Sequence, residues 1–420
     1  MAIAIAALCL AALAFVTTHG RTETFGNPDT RSLGRDFVGL HMHRAFTRTP
    51  WPDIGFGSWR LWDAYVQWAH LEPQRGKWDF RVLDKYVAMA EEKGVKVLLP
   101  LGLTPRWASA RPDEPSSYQA GWAAEPAHAT DWHKYVRTIV ERYLGRIREY
   151  EIWNEPNHTG FFTGSMETML RLSCDAYSII KSIDPSAIVV SPAPTHMDEG
   201  VEWLDAYLER GGGRCADVIG FHFYLNMHEP PEQLPRLVNK VREVLKKHRI
   251  EGMPIWNTES GWQLAHSRLP VKTRWHVVPT DEAPGLVGRA LVLGAASGLR
   301  RFYWYAWDNE TMGAMIEPDT METKDAGHAL GQIGQWLDGA VVSACAQGSA
   351  GVWSCSVSKP ATGRKGWIVW HPRKWVTWRP PIAWGVRSVS RLDPDRHPRH
   401  LAADGTVDIG PSPSLLHGDL

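Results

Sequence analysis

The feature that most constrains this chain is an alternation. Short apolar runs occupy residues 37–43, 57–62, 95–101, 150–154, 187–191, 218–224, 254–258 and 302–306. Between them lie stretches with helical spacing, at 79–94, 132–144, 168–182, 201–210, 233–248 and 286–297, and a closing one follows at 326–337. In the first of these Val82, Leu83, Tyr86, Val87 and Ala90 recur on one face, and Gly94 supplies the stop. The run at 95–101 is apolar almost throughout, as a strand buried on both faces must be. Eight strand–helix units over this length predict an α/β fold, specifically a closed (β/α)8 TIM barrel. No glycine-rich phosphate loop follows any strand, so an open nucleotide-binding sheet and a nucleotide cofactor are not expected.

Beyond residue 340 the texture changes. Short runs at 351–357, 366–370 and 386–389 are separated by Pro, Gly and Asp. They predict a small antiparallel, β-sandwich-like module over 340–420, following a barrel at 21–339. Trp367, Trp370, Trp375 and Trp378 could give this module a carbohydrate-stacking surface, although a structural role is the simpler reading.

Two carboxylates stand out against this frame. The run Tyr150-Glu151-Ile152-Trp153-Asn154-Glu155 ends on an acid and is followed by Pro156, which cannot continue a ladder. Glu155 therefore sits at the carboxyl tip of the fourth strand, the end where barrels place catalysis. Glu259, in Trp256-Asn257-Thr258-Glu259-Ser260, closes the seventh strand in the same way. Two acids facing each other on one rim are what glycosidic cleavage requires. One protonates the leaving oxygen while the other attacks, or activates water, at the anomeric carbon.

Composition narrows the partners. The chain has 46 basic and 46 acidic residues, which leaves no basic excess for nucleic acid. It carries 22 tryptophans, enough to fill a core and also line a groove for the flat apolar faces of sugars. Residues 1–20 read as a secretory signal with a cleavage site near Ala12-Leu13-Ala14, or as a membrane anchor if the segment is retained. The expected location is secreted or periplasmic. Four cysteines remain after Cys9, an even number that permits disulfides there. Cys345 with Cys355 is the favoured local pair, and Cys174 with Cys215 is left open. No CxxC or paired Cys/His spacing points to a metal, and no cofactor is expected.

Trp153-Asn154-Glu155-Pro156-Asn157, with an acid closing strand seven, resembles the signature of clan A glycoside hydrolases. Arg60 after strand two, His222 and Tyr224 on strand six, and Trp304 on strand eight agree with that clan. The segment Leu71-Glu72-Pro73-Gln74-Arg75-Gly76-Lys77-Trp78-Asp79-Phe80 is similar to glycoside hydrolase family 39, the β-xylosidase, α-L-iduronidase and exopolysaccharide-hydrolase group. Family 5 shares the layout. Thr258-Glu259-Ser260-Gly261-Trp262 and Tyr303-Trp304-Tyr305-Ala306-Trp307-Asp308 depart from the xylosidases.

The resemblance implies a retaining hydrolase acting on a polysaccharide or oligosaccharide, a bacterial exopolysaccharide first among the candidates. It assigns Glu155 as general acid/base and Glu259 as nucleophile, with carboxylates about 5 Å apart. Arg60 and Tyr224 would hold Glu259 ionised, and Asn154 would bind the sugar 2-hydroxyl. His43, His222 and Trp304 would line the substrate site, Trp304 as its aromatic floor. Trp107, Trp262 and Trp307 are further stacking platforms or core, while Glu72 and Glu151 are assigned to structure. A non-catalytic carbohydrate-binding barrel and a transglycosylase are the alternative functions.

Overall fold

The computed structural model describes residues 24–26, 31–226, 228–269, 276–312, 314–392 and 401–418. The expected signal segment and its cleavage site lie outside the described residues. Within them, no helix is long and apolar enough to cross a membrane.

Eight parallel strands form one sheet. They are β1 (Val38–Leu40), β2 (Ser58–Arg60), β3 (Lys96–Leu101), β4 (Glu149–Ile152), β5 (Ile188–Val190), β6 (Ile219–Phe221), β7 (Ile255–Ser260) and β8 (Leu299–Trp304). Successive strands are neighbours, and β8 returns to β1 with Tyr303 opposite Gly39. A single bridge between Val190 and Val218 joins β5 to the start of β6 and closes the ring. This is the expected barrel.

Among the described residues, seven helices of thirteen residues or more surround it, besides a single turn at Trp68–Leu71: α1 (Arg81–Lys93), α2 (Ala129–Arg142), α3 (Met166–Ile183), α4 (Met197–Glu209), α5 (Leu234–Lys247), α6 (Ala283–Ala296) and α7 (Asp325–Leu337). The strict repeat expected from sequence fails once. Residues 41–57, between β1 and β2, form turns and no helix. The place is filled by α7, whose Gly331 packs on Ile54 and whose Gly334 packs on Val38. Side chains larger than glycine would collide with Ile54, since a Cβ on Gly331 would lie 2.8 Å from it.

The second unit is a six-stranded antiparallel sheet. Its members are β9 (Val341–Gln347), β10 (Trp353–Lys359), β11 (Arg364–Trp370), β13 (Ser388–Arg391), β15 (Ser414–His417) and a strand from ahead of the barrel, Thr24–Gly26, which pairs with β9. A separate ribbon joins β12 (Val376–Trp378) to β14 (Val407–Ile409). The disulfide Cys345–Cys355 links directly opposed residues of β9 and β10, and Cys174–Cys215 ties α3 to the short turn before β6.

The module packs against α6, and every residue of α6 from Gly285 to Ala296 is buried. A helix enclosed on all sides has no use for a polar face, and α6 is apolar but for Arg289. Gly285 and Gly288 let Pro411 and Pro413 approach its backbone. Arg289 is neutralised by Glu232, whose same oxygen accepts from Trp370 Nε1 of β11 at 2.7 Å. A buried ion pair with an indole thus clamps the module to the barrel.

Candidate active site

The Trp153–Asn157 corner is built by two residues in the left-handed region, Trp153 at φ +62° and Glu155 at φ +43°. Non-glycine residues there cost about 1–3 kcal/mol each and persist only where the surroundings hold them. Here Trp153 is locked between Trp132 and Phe162, and its indole donates to the Phe161 carbonyl at 2.8 Å. Glu155 N–H donates to the Ala193 carbonyl, and Asn157 exchanges two hydrogen bonds with the Thr195 backbone. The turn aims Glu155 across the barrel mouth toward Glu259.

The two carboxyls meet over β6. Oxygens of Glu155 and Glu259 and a nitrogen of His222 lie within 4.8 Å of one another. His222 Nδ1 is 2.9 Å from Glu155 Oε1 and 3.9 Å from Glu259 Oε1. Glu259 accepts from the Tyr224 hydroxyl at 3.0 Å and from Arg60 Nη1 at 2.8 Å. Arg60, ending β2, is wholly buried and spends every nitrogen on the site. Its Nε donates to Glu151 at 2.6 Å, Nη2 to Asn154 Oδ1 at 2.8 Å, and Nη1 also reaches His41 Nε2 at 3.0 Å. With Arg60 donating to its Nε2, His41 carries its proton on Nδ1 and gives it to the Trp304 carbonyl at 3.2 Å.

Burial raises the pKa of both carboxyls, and each also feels the cation of Arg60. Their contacts separate them. Glu259 receives one charged and one neutral donor, which favours its ionised form. Glu155 has no direct contact with Arg60 and lacks that charged donor. Burial pushes the His222 imidazole down to about 4, so it is neutral at pH 7 and adds no competing charge. The Tyr224 hydroxyl is raised well above its ordinary value by burial and by Glu259, so it remains a donor.

Glu155, Glu259, Arg60, Asn154, His222 and Tyr224 therefore converge as a single cluster. His43 stands one layer out, its ring 5.1 Å from that of Tyr305. Trp304 requires correction. Side chains alternate along a strand, and Trp304 lies on the opposite face from Tyr303 and Tyr305. It is fully buried and stacks on Trp262. The β8 aromatic facing the site is Tyr305, whose ring lies 5.1 Å from that of His41 and whose hydroxyl donates to Asp63 at 2.7 Å. Trp307 is core, and Trp107 donates to the Glu72 carbonyl with Arg75 stacked over its ring.

Two further residues escaped the sequence reading, Asp63 and Tyr118. Glu151, assigned to structure, is the second counter-ion of Arg60. Its signal was legible: an acid inside a strand buried throughout must meet a cation. Asp63 and Tyr118 hydrogen-bond each other at the rim, and Tyr118 stands close enough to feel the charge of both Glu155 and Glu259. They come from the loops after β2 and β3, and no local pattern announces that they meet.

A family model described as glycosyl hydrolases family 39 matches residues 58–289, more than half of the chain. A β-xylosidase from Caldicellulosiruptor saccharolyticus is 26% identical over 220 residues, 48% of this chain and 43% of that protein. The chain thus aligns with less than half the length of this relative. Among solved structures, a family 39 glycoside hydrolase from Bacteroides cellulosilyticus WH2 superimposes with a TM-score of 0.69 at 16% identity, covering 92% of this chain and 81% of that one. A GH39 β-xylosidase from Caulobacter crescentus gives 0.64 at 16% identity, covering 94% and 98%. At such identities the superpositions speak to the fold, while the sequence model speaks to the family, and of the two families sharing this layout it selects one. The chain belongs to glycosyl hydrolases family 39.

Proposed function

We propose that the protein is a retaining glycoside hydrolase that acts on a polysaccharide or its oligosaccharides. The observation that carries this reading is the carboxyl pair, with oxygens of Glu155 and Glu259 within 4.8 Å. Retaining enzymes need about 5–5.5 Å between these groups, whereas inverting ones leave about 6.5–9.5 Å for a water. Glu155 protonates the glycosidic oxygen as that bond breaks, and Glu259 forms an ester to the anomeric carbon. Water then attacks the same carbon, giving its proton to Glu155 and releasing Glu259. Asn154, its oxygen fixed by Arg60, retains its NH2 as the donor for a sugar hydroxyl. Burial of both carboxyls supports the shared proton that this cycle requires.

The name of the sequence relative makes xylosides the first substrates to test. Bacterial exopolysaccharides come next, because strands seven and eight depart from the xylosidases. Two disulfides support an oxidising compartment, hence a secreted or periplasmic protein. The test is hydrolysis of aryl glycosides and purified polysaccharides by wild type, Glu155→Ala and Glu259→Ala, with the first-formed anomer followed by NMR. Wild type alone should turn over, releasing the anomer of the substrate's own configuration. Equal behaviour of all three proteins would leave a carbohydrate-binding barrel, and an inverted first product would sink the retaining mechanism.

A further inference from the structure

Asn257 is a polar side chain that the proposed cycle does not use. It lies on β7, wholly buried, two residues before Glu259 and so on the same face of the strand. Its Oδ1 accepts from the Phe223 backbone N–H at 3.3 Å, and its Nδ2 donates to the Ser260 hydroxyl at 2.6 Å. The first bond fixes which way the amide faces, because a backbone N–H can meet only its oxygen. Both partners flank the carboxyl pair. Phe223 stands between His222, which touches Glu155, and Tyr224, which touches Glu259. Ser260 follows Glu259 directly, and its carbonyl accepts from the Tyr305 N–H at 2.9 Å.

The strand pairing shows why a side chain is needed at this point. The ladder between β6 and β7 ends at Phe221 opposite Asn257, while β7 runs on to Ser260. Past that point the His222 N–H donates away from β7, to the Pro194 carbonyl at 3.0 Å. The Phe223 N–H is the next that would meet a β7 carbonyl if the parallel ladder continued. The Asn257 amide takes it instead. Phe223 is fully buried, and a buried N–H left unpaired costs free energy. The amide therefore holds the segment His222–Tyr224 to β7 where the backbone ladder no longer does.

We propose that Asn257 is a positioning residue for the nucleophile: by bridging Phe223 to Ser260 it sets the Tyr224 hydroxyl at bonding distance from Glu259. This rests on the glycosidase reading above. Asn257→Leu keeps the branching of the side chain and removes both bonds, while Ser260→Ala removes the anchor alone. On a glycoside that wild type hydrolyses, Asn257→Leu should lower kcat about 10²-fold with KM little changed, the scale of a displacement of about 1 Å. Ser260→Ala should do the same in smaller measure. Added to Tyr224→Phe, Asn257→Leu should cost little more, since a hydroxyl already removed cannot be displaced. A second readout needs no turnover. In a Glu155→Gln background, with carbon-13 at the glutamate carboxyls, NMR would follow the titration of Glu259. Asn257→Leu should move that titration to higher pH, because the ionised form loses a donor. A merely structural amide would lower the melting temperature and leave the titration in place. Should Asn257→Leu fail to melt cooperatively, Ser260→Ala carries the same two tests. The proposal is overturned if the folded variants leave the Glu259 titration unaltered, or if the losses from Asn257→Leu and Tyr224→Phe multiply. A raised titration in a protein whose wild type hydrolyses no glycoside would count against the catalytic reading and leave the positioning role standing.

Discussion

At the scale of single residues, function turns on where one proton resides. Glu155 and Glu259 are both raised by burial, so they lose their two protons in steps that belong to the pair. On the proposed mechanism the active form holds one proton. Activity should rise with pH as the first proton leaves, and fall as the second leaves, with both limbs above the range of solvent-exposed carboxyls. Glu155→Gln should lower kcat/KM about 10²–10⁴-fold, the usual contribution of a positioned acid. It should also remove the falling limb from whatever activity remains, which a pH–rate profile would reveal.

The same groups set a stability term of opposite sense. An acid whose folded pKa is raised binds its proton more tightly in the native state. Its contribution is therefore fully present below the unfolded pKa and is lost as pH rises through the folded one. Glu155→Gln should raise the melting temperature at pH 8 and change it little at pH 4. Thermal unfolding at the two pH values checks this, and a lower melting temperature at pH 8 would contradict it.

The scale of elements shows how much was readable before folding. Gly94 at φ +64° ends α1 where its spacing stops, whereas β4 ends at Ile152, so Glu155 lies three residues beyond the strand that was expected to reach it, and Glu259 lies within the end of β7. What misled was parity at a strand end. Trp304 and Tyr305 are equally aromatic neighbours, and nothing local says which faces inward, since that depends on the register of β8 against β7 and β1. Glu151 was under-read for a related reason. Its partner Arg60 is 91 residues away, on a strand two places round the barrel.

Elements are also where the disulfides act. Cys174–Cys215 spans 41 residues and Cys345–Cys355 only 10. Loop-closure entropy assigns them about 4 and about 3 kcal/mol respectively. Replacing Cys174 and Cys215 together by serine should therefore cost more in urea unfolding than the same change at 345 and 355. The reverse order would show that the native β9–β10 hairpin depends on its bridge for more than chain entropy.

On the scale of the whole molecule, barrel and module share one interface through α6. Glu232→Ala would strand the Arg289 guanidinium and the Trp370 indole inside it. Breaking a buried pair on one side costs about 3–5 kcal/mol. The expected outcome is a protein that unfolds at markedly lower denaturant. A variant replacing both charges, Glu232→Gln with Arg289→Met, should recover part of the loss. If Glu232→Ala were neutral, the clamp would carry no weight in holding the module.

What the sequence determined by itself was the repeat, and with it the barrel, and the two acids at strand tips, because periodicity and strand termination are written into neighbouring residues. Tertiary structure decided the rest. It chose Tyr305 over Trp304, gave Glu151 to Arg60 and brought Asp63 to Tyr118. Each of these depends on residues distant in the chain, and only closure of the ring brings strands two, four, six, seven and eight within reach of one another.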